Sequence, residues 1–158
     1  MPPVTNLDIS SLAGLINLET LILENSGISD VSPLAGLKKL YRLSLSHNTI
    51  ENISPLAGLK KLQHLYLSGN NISDISPLAG LTELRILWII GNPVTDFRPL
   101  TELDIANFRS DVDVNDDGVV NIQDLVIVAN ALGKAEPDLN GDGVVNIQDL
   151  VIVANAFQ

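Results

Sequence analysis

Four consecutive segments of 22 residues repeat with leucine in the same places, and no other feature of this 158-residue chain limits its fold so tightly. The units run over 15–36, 37–58, 59–80 and 81–102, after a partial unit at 7–14. Leu15, Leu37, Leu59 and Leu81 share one register, and Leu21, Leu43, Leu65 and Leu87 another. A unit this short cannot bury its own apolar face, so neighbouring units must bury it for one another. The segments Leu43-Ser44-Leu45 and Leu65-Tyr66-Leu67 alternate with period two, the pattern of a short strand. Asn48, Asn70 and Asn92 follow at a turn, with Ser26 in that register in the first unit. A buried Asn there can satisfy turn backbone groups that no strand pairs. Ser32, Ser54 and Ser76 precede prolines, which reads as an N-cap serine and a first-turn proline of a short helical turn.

These units resemble the 22-residue class of bacterial leucine-rich repeats, as in the internalins, over roughly residues 4–103. The resemblance implies a right-handed solenoid with parallel strands on a concave face and short 3₁₀ turns on the convex face. The alternation then places Ile22, Ser44, Tyr66 and Trp88 in the central concave row. Thr20, Arg42, His64 and Ile86 flank it on one side, and Glu24, Ser46, Ser68 and Ile90 on the other. Polarity falls toward the last unit, so Tyr66, Ile86, Trp88 and Ile90 are expected to form an apolar patch. Such a patch is either a contact site or the ordinary strand preference for aromatic and β-branched residues. Arg42, His64, Tyr66, Ile86, Trp88 and Ile90 are the candidate recognition residues. A solenoid exposes core at its ends unless capped. Leu103, Ile105 and Phe108 are offered for the C-terminal end, whereas the N-terminal end has only the partial unit, so a longer natural protein is expected.

The last third is a different kind of repetition. "VVNIQDLVIVANA" occurs unchanged at 119–131 and 144–156. Each copy follows an acidic, glycine-containing stretch, giving the twelve-residue loops "DVNDDGVVNIQD" (113–124) and "DLNGDGVVNIQD" (138–149). Asp, Asn and Asp stand at positions 1, 3 and 5, Gly at 6, Asn at 9 and Asp at 12. This is the EF-hand spacing: hard oxygen donors at alternate positions, a glycine for the turn and a closing carboxylate. The first ligand set is Asp113, Asn115, Asp117, Asn121 and Asp124, with the Val119 carbonyl. The second is Asp138, Asn140, Asp142, Asn146 and Asp149, with the Val144 carbonyl. Two Ca²⁺ sites are therefore expected, since a flexible all-oxygen cage suits calcium better than magnesium. Position 12 is Asp rather than Glu, and Gly133 and Pro137 break any helix entering the second loop. Each unit is thus a loop and one exiting helix. Leu125, Val128, Ala129 and Leu132 fall on one helix face, matched by Leu150, Val153, Ala154 and Phe157.

Tandem units of that shape resemble the type I dockerin module over about 111–158. The resemblance implies calcium-dependent docking to a cohesin-type domain. It assigns the contact to Ile122, Gln123, Ala129 and Asn130 in copy one, and to Ile147, Gln148, Ala154 and Asn155 in copy two. Helix periodicity also claims Ala129 and Ala154 for the core. Identical copies imply either a partner bound in two orientations or a duplication that is only structural.

The expected fold class is α/β. A leucine-rich repeat solenoid of parallel strands and 3₁₀ turns fills 1–103, and 104–110 is a linker or C-terminal cap. A small all-α, calcium-binding, dockerin-like domain with two EF-hand-type loop-helix motifs fills 111–158. The chain carries a formal charge of −10, concentrated in that last segment, which argues against a nucleic-acid partner. No cysteine is present, which excludes a disulfide framework and thiolate metal sites. No stretch approaches a transmembrane helix, and the first residues lack the regions of a signal peptide, so a mature or trimmed form is expected. His47 and His64 stand in different registers and are read as solvated surface residues; no Ser/His/Asp constellation appears. The expected function is a non-catalytic, bacterial, extracellular or cell-surface adaptor: the repeats recognise a protein or glycan and the C-terminal module docks to a cohesin. The alternatives are a calcium module that only caps the repeats, or a fragment of a larger enzyme or adhesin.

Overall fold

The computed structural model describes residues 7–100 and 102–109, with Leu139 and Ile152 beyond them. Among these residues, five three-residue strands make one parallel sheet in sequence order: β1 (Thr20–Ile22), β2 (Arg42–Ser44), β3 (His64–Tyr66), β4 (Ile86–Trp88) and β5 (Asn107–Arg109). Each of the first four comes from one 22-residue unit. The fifth lies within 104–110, so backbone there extends the sheet past the last repeat. On the opposite side of each unit lies a short 3₁₀ helix: Ser10–Gly14, Ser32–Gly36, Ser54–Gly58, Ser76–Leu78 and Arg98–Leu100. The parallel-strand solenoid expected from the repeats is the fold of the described residues.

Leucine periodicity becomes the core. Leu37, Leu40, Leu43, Leu45, Leu59, Leu62, Leu65 and Leu67 are fully buried. Position in the stack then modulates one register: Leu37, Leu59 and Leu81 are wholly enclosed, whereas Leu15 is 46 % exposed. A repeat with full neighbours on both sides is sealed by them, and among the described residues only the partial unit at 7–14 precedes the first. At the other end, Leu100, Leu103 and Ile105 pack partly buried against the core. Arg85 Nη1 donates to the Asp104 carbonyl at 3.1 Å, tying that segment to the fourth unit.

The turn asparagines do more than close their own turns. The Asn70 side-chain nitrogen donates to the Leu67 carbonyl at 2.8 Å and to Leu45, one repeat back, at 3.0 Å. Its oxygen accepts from the Ile50 amide at 3.1 Å. Asn48 and Asn92 repeat the pattern, so three buried amides staple consecutive units where strand pairing has ended. Ser26, in the same register, donates its hydroxyl to its own unit's Glu24 carbonyl instead.

The caps of the 3₁₀ helices differ from expectation. Ser32, Ser54 and Ser76 are the first helical residues and not N-caps; the residues before them, Val31, Ile53 and Ile75, make no side-chain cap bond. The acceptor sits two residues upstream of the serine. Asp30, Asn52 and Asp74 take the backbone N–H of Ser32, Ser54 and Ser76 at 2.8, 2.9 and 2.8 Å. Asp and Asn readily bond their own chain two residues on, more strongly than serine does, and here they win. Asp8 and Asp96 do the same for Ser10 and Arg98. The Ser76 hydroxyl and amide hold the Asp74 carboxyl below its ordinary value, and Ser10 does the same for Asp8. Arg98, paired at 2.7 Å, brings Asp96 down to about 2.

A second column emerges at the residue before each ladder position. Asn25, His47, Gly69 and Gly91 all have positive φ, at 52°, 57°, 67° and 70°. The turn demands left-handed backbone in every repeat, and two of four units supply glycine for it.

Candidate interaction face

Sheet register turns the expected rows into columns of neighbours. Thr20, Arg42, His64 and Ile86 align across β1 to β4, as do Ile22, Ser44, Tyr66 and Trp88. The leucines between them point into the core, so these side chains stand on the sheet's outward face. Trp88 and Ile90 are 37 % and 39 % exposed, while Tyr66 and Ile86 are half-buried. Trp88 meets Tyr66 edge to face, with ring centroids 5.1 Å apart at 85°. The Arg42 guanidinium carbon lies 5.3 Å from the centre of the Tyr66 ring, a cation–π arrangement. Arg42, Tyr66 and Trp88 therefore form one continuous stack across three repeats.

Beside that stack the face is dented. The central row runs Ile, Ser, Tyr, Trp, and the small Ser44 leaves a depression between large neighbours. A hollow of about 360 Å³ is lined by Glu24, Arg42, Ser44, Ser46, His47, Tyr66, Ser68 and Trp88. Ser44 is 2 % exposed and donates its hydroxyl to the Glu24 carboxylate. Sequence reasoning placed Glu24 and the serines in the rows without singling them out, because a depression comes from size contrast between repeats and not from residue type. His47 enters through the left-handed turn. Its ring covers the place where a Gly69 side chain would be, 2.6 Å from an ideal Cβ. His64 departs from the expected solvated setting: it is half-buried, its Nδ1 is enclosed without a hydrogen-bond partner, and its ring lies 6.4 Å from Tyr41.

The expected calcium ligands within 113–124 and 138–149 and the docking residues Ile122, Gln123, Ala129, Asn130, Ile147, Gln148, Ala154 and Asn155 lie outside the described residues. Their donor set is all oxygen, which fits calcium. Among the described residues there is no His, Cys, Asp or Glu group suited to a metal, and no helix long and apolar enough to cross a membrane.

The fold and this face define a leucine-rich repeat protein. Residues 16–72 match the leucine rich repeat family model, and residues 60–102 match a model of two such repeats. Residues 111–158 match the dockerin type I domain. The chain carries leucine-rich repeats and a C-terminal type I dockerin domain, two modules whose pairing suggests protein–protein interaction. Type I dockerins generally bind calcium. Among solved structures, internalin C2 of Listeria monocytogenes is 40 % identical with a TM-score of 0.64, covering 65 % of this chain and 46 % of its own. A second Listeria monocytogenes internalin is 34 % identical with a TM-score of 0.61, covering 65 % of this chain and 32 % of its own. A leucine-rich repeat protein of Leptospira interrogans is 27 % identical with a TM-score of 0.57, covering 66 % of this chain and 28 % of its own. The chain thus spans less than half the length of each. No curated protein matches it.

Proposed function

We propose that this chain is a non-catalytic extracellular bacterial adaptor. Its repeats present a recognition face, and its C-terminal module docks, with calcium bound, to a cohesin-bearing scaffold or cell surface. The observation that carries the reading is a type I dockerin match beginning at residue 111, two residues beyond the last strand of a repeat solenoid. Two calcium ions are held by Asp113, Asn115, Asp117, Asn121 and Asp124 with the Val119 carbonyl, and by Asp138, Asn140, Asp142, Asn146 and Asp149 with the Val144 carbonyl. Bound calcium neutralises these clustered carboxylates, and its binding energy becomes folding energy of the module. Ile122 and Gln123, repeated as Ile147 and Gln148, are the side chains offered to the cohesin, with Ala129, Asn130, Ala154 and Asn155 alongside.

Calorimetry with an isolated type I cohesin tests this. Binding is expected in calcium and not in chelator. Gln123→Ala and Gln148→Ala should each be tolerated, while the double substitution weakens binding. No heat in calcium, or equal heat in chelator, contradicts the proposal.

A second reading has its own support. Ile152 is 8 % exposed and belongs to the same hydrophobic cluster as the repeat leucines, with Leu139 packed partly buried against it. Leu139 lies in the second loop, 138–149, and Ile152 in the second copy. On this reading the module also seals the C-terminal end of the stack, which docking through the first copy would still permit.

A further inference from the structure

We infer that the hollow beside Ser44 is a binding site for a carboxylate-bearing sugar, a uronate residue within an oligosaccharide. The inference rests on reading the outward sheet face as the recognition face, and is independent of docking at 111–158.

Arg42 supplies the charge argument. Among the described residues it makes no ion pair and no side-chain hydrogen bond, and its Nε is enclosed without a partner. The nearby Glu24 carboxylate is engaged by Ser44 instead. A guanidinium held only by stacking on Tyr66 leaves its two terminal Nη donors unpaired, and that end matches a carboxylate in two parallel bonds. Tyr66 and Trp88 form the adjoining wall, suited to the apolar C–H face of a pyranose ring. Ser68 lines the remainder with a hydroxyl, which both donates and accepts, as sugar hydroxyls do.

Size suits a saccharide. The hollow's 360 Å³ sits at the lower end of the range for small-ligand sites, about 300–1,000 Å³. Interior strands also have their backbone groups paired, so an extended peptide would gain no added-strand hydrogen bonds here.

Trp88 is the chain's single tryptophan, so intrinsic fluorescence reads this site directly. The intact calcium-loaded chain is titrated with trigalacturonate, with a neutral trisaccharide and with an acidic peptide. A saturable change is expected with trigalacturonate, at least ten-fold weaker with the neutral sugar. Arg42→Gln should weaken trigalacturonate binding ten-fold or more. Ser44→Leu, which fills the hollow and leaves Arg42 in place, should abolish it, with unchanged thermal unfolding showing that both variants fold. Equal response to the neutral sugar, indifference to Arg42→Gln, or no response to trigalacturonate overturns the proposal. A response to the acidic peptide alone also overturns it, while leaving the face a recognition surface.

Discussion

Leu65 and Tyr66 are neighbours on β3, yet they obey different constraints. Leu65 faces inward, is fully buried, and has a leucine at the equivalent place in every repeat. Tyr66 faces outward, and its equivalents are Ile22, Ser44 and Trp88. Stacking demands the same shape from each unit on the inside, because each repeat is the mould for the next. Outside, no such demand applies, and residues differ from unit to unit. The contrast separates what builds this protein from what it can use to bind.

The inward side should be the easier to break. Leu65→Ala deletes a fully buried side chain between two repeats and should cost about 2–5 kcal/mol in urea unfolding. Ile22→Ala, on the outward side of β1 and 56 % exposed, should stay within about 0.5 kcal/mol. Equal costs would erase the distinction. Smaller effects are expected at the left-handed column. Gly69→Ala puts a Cβ at φ 67° and against the His47 ring, and should cost roughly 1–2 kcal/mol. His47→Gly relieves the same conformation one unit earlier and should gain a few tenths of a kcal/mol, roughly the balance of strain relieved against chain entropy.

Acid should have the mildest effect on the repeats. Asp8, Asp74 and Asp96 have pKa values lowered in the folded chain, from 3.8 to about 2 for Asp96. A lowered folded pKa gives stability that is complete above the ordinary carboxylate value and lost as pH falls through the folded one. The urea midpoint should therefore be flat from pH 7 to about 4.5 and decline below 4, less steeply in Asp96→Asn. All three carboxylates are exposed, so added salt should blunt the decline.

The inward pattern was the legible part of this fold. Period and leucine register alone imply stacked units, their strands and their turns, because burial imposes the repeat. Other features needed coordinates. The Asp30, Asn52 and Asp74 caps were hidden because Ser-Pro offers an equally good local signal, and only geometry decides which oxygen accepts. The left-handed column was masked by Asn25 and His47, since only Gly69 and Gly91 carry the residue type that announces it. On the outward face, the alternation named the rows, whereas the hollow required knowing that Ser44 sits between larger side chains in register. Strand β5 has no repeat to announce it.

The C-terminal copies invert the first comparison. They are identical over thirteen residues, on whatever face those residues lie, so nothing there separates scaffold from binding surface by variation. Their proposed order comes from calcium, and the order of the repeats from leucine. Limited proteolysis of the intact chain with calcium and with chelator, read by mass spectrometry, tests that division most directly. The account predicts an intact chain in calcium, and in chelator rapid loss of 111–158 with a resistant fragment ending near residue 109. Resistance of the whole chain in both conditions, or digestion of the repeats together with the C-terminal segment once calcium is removed, would contradict it.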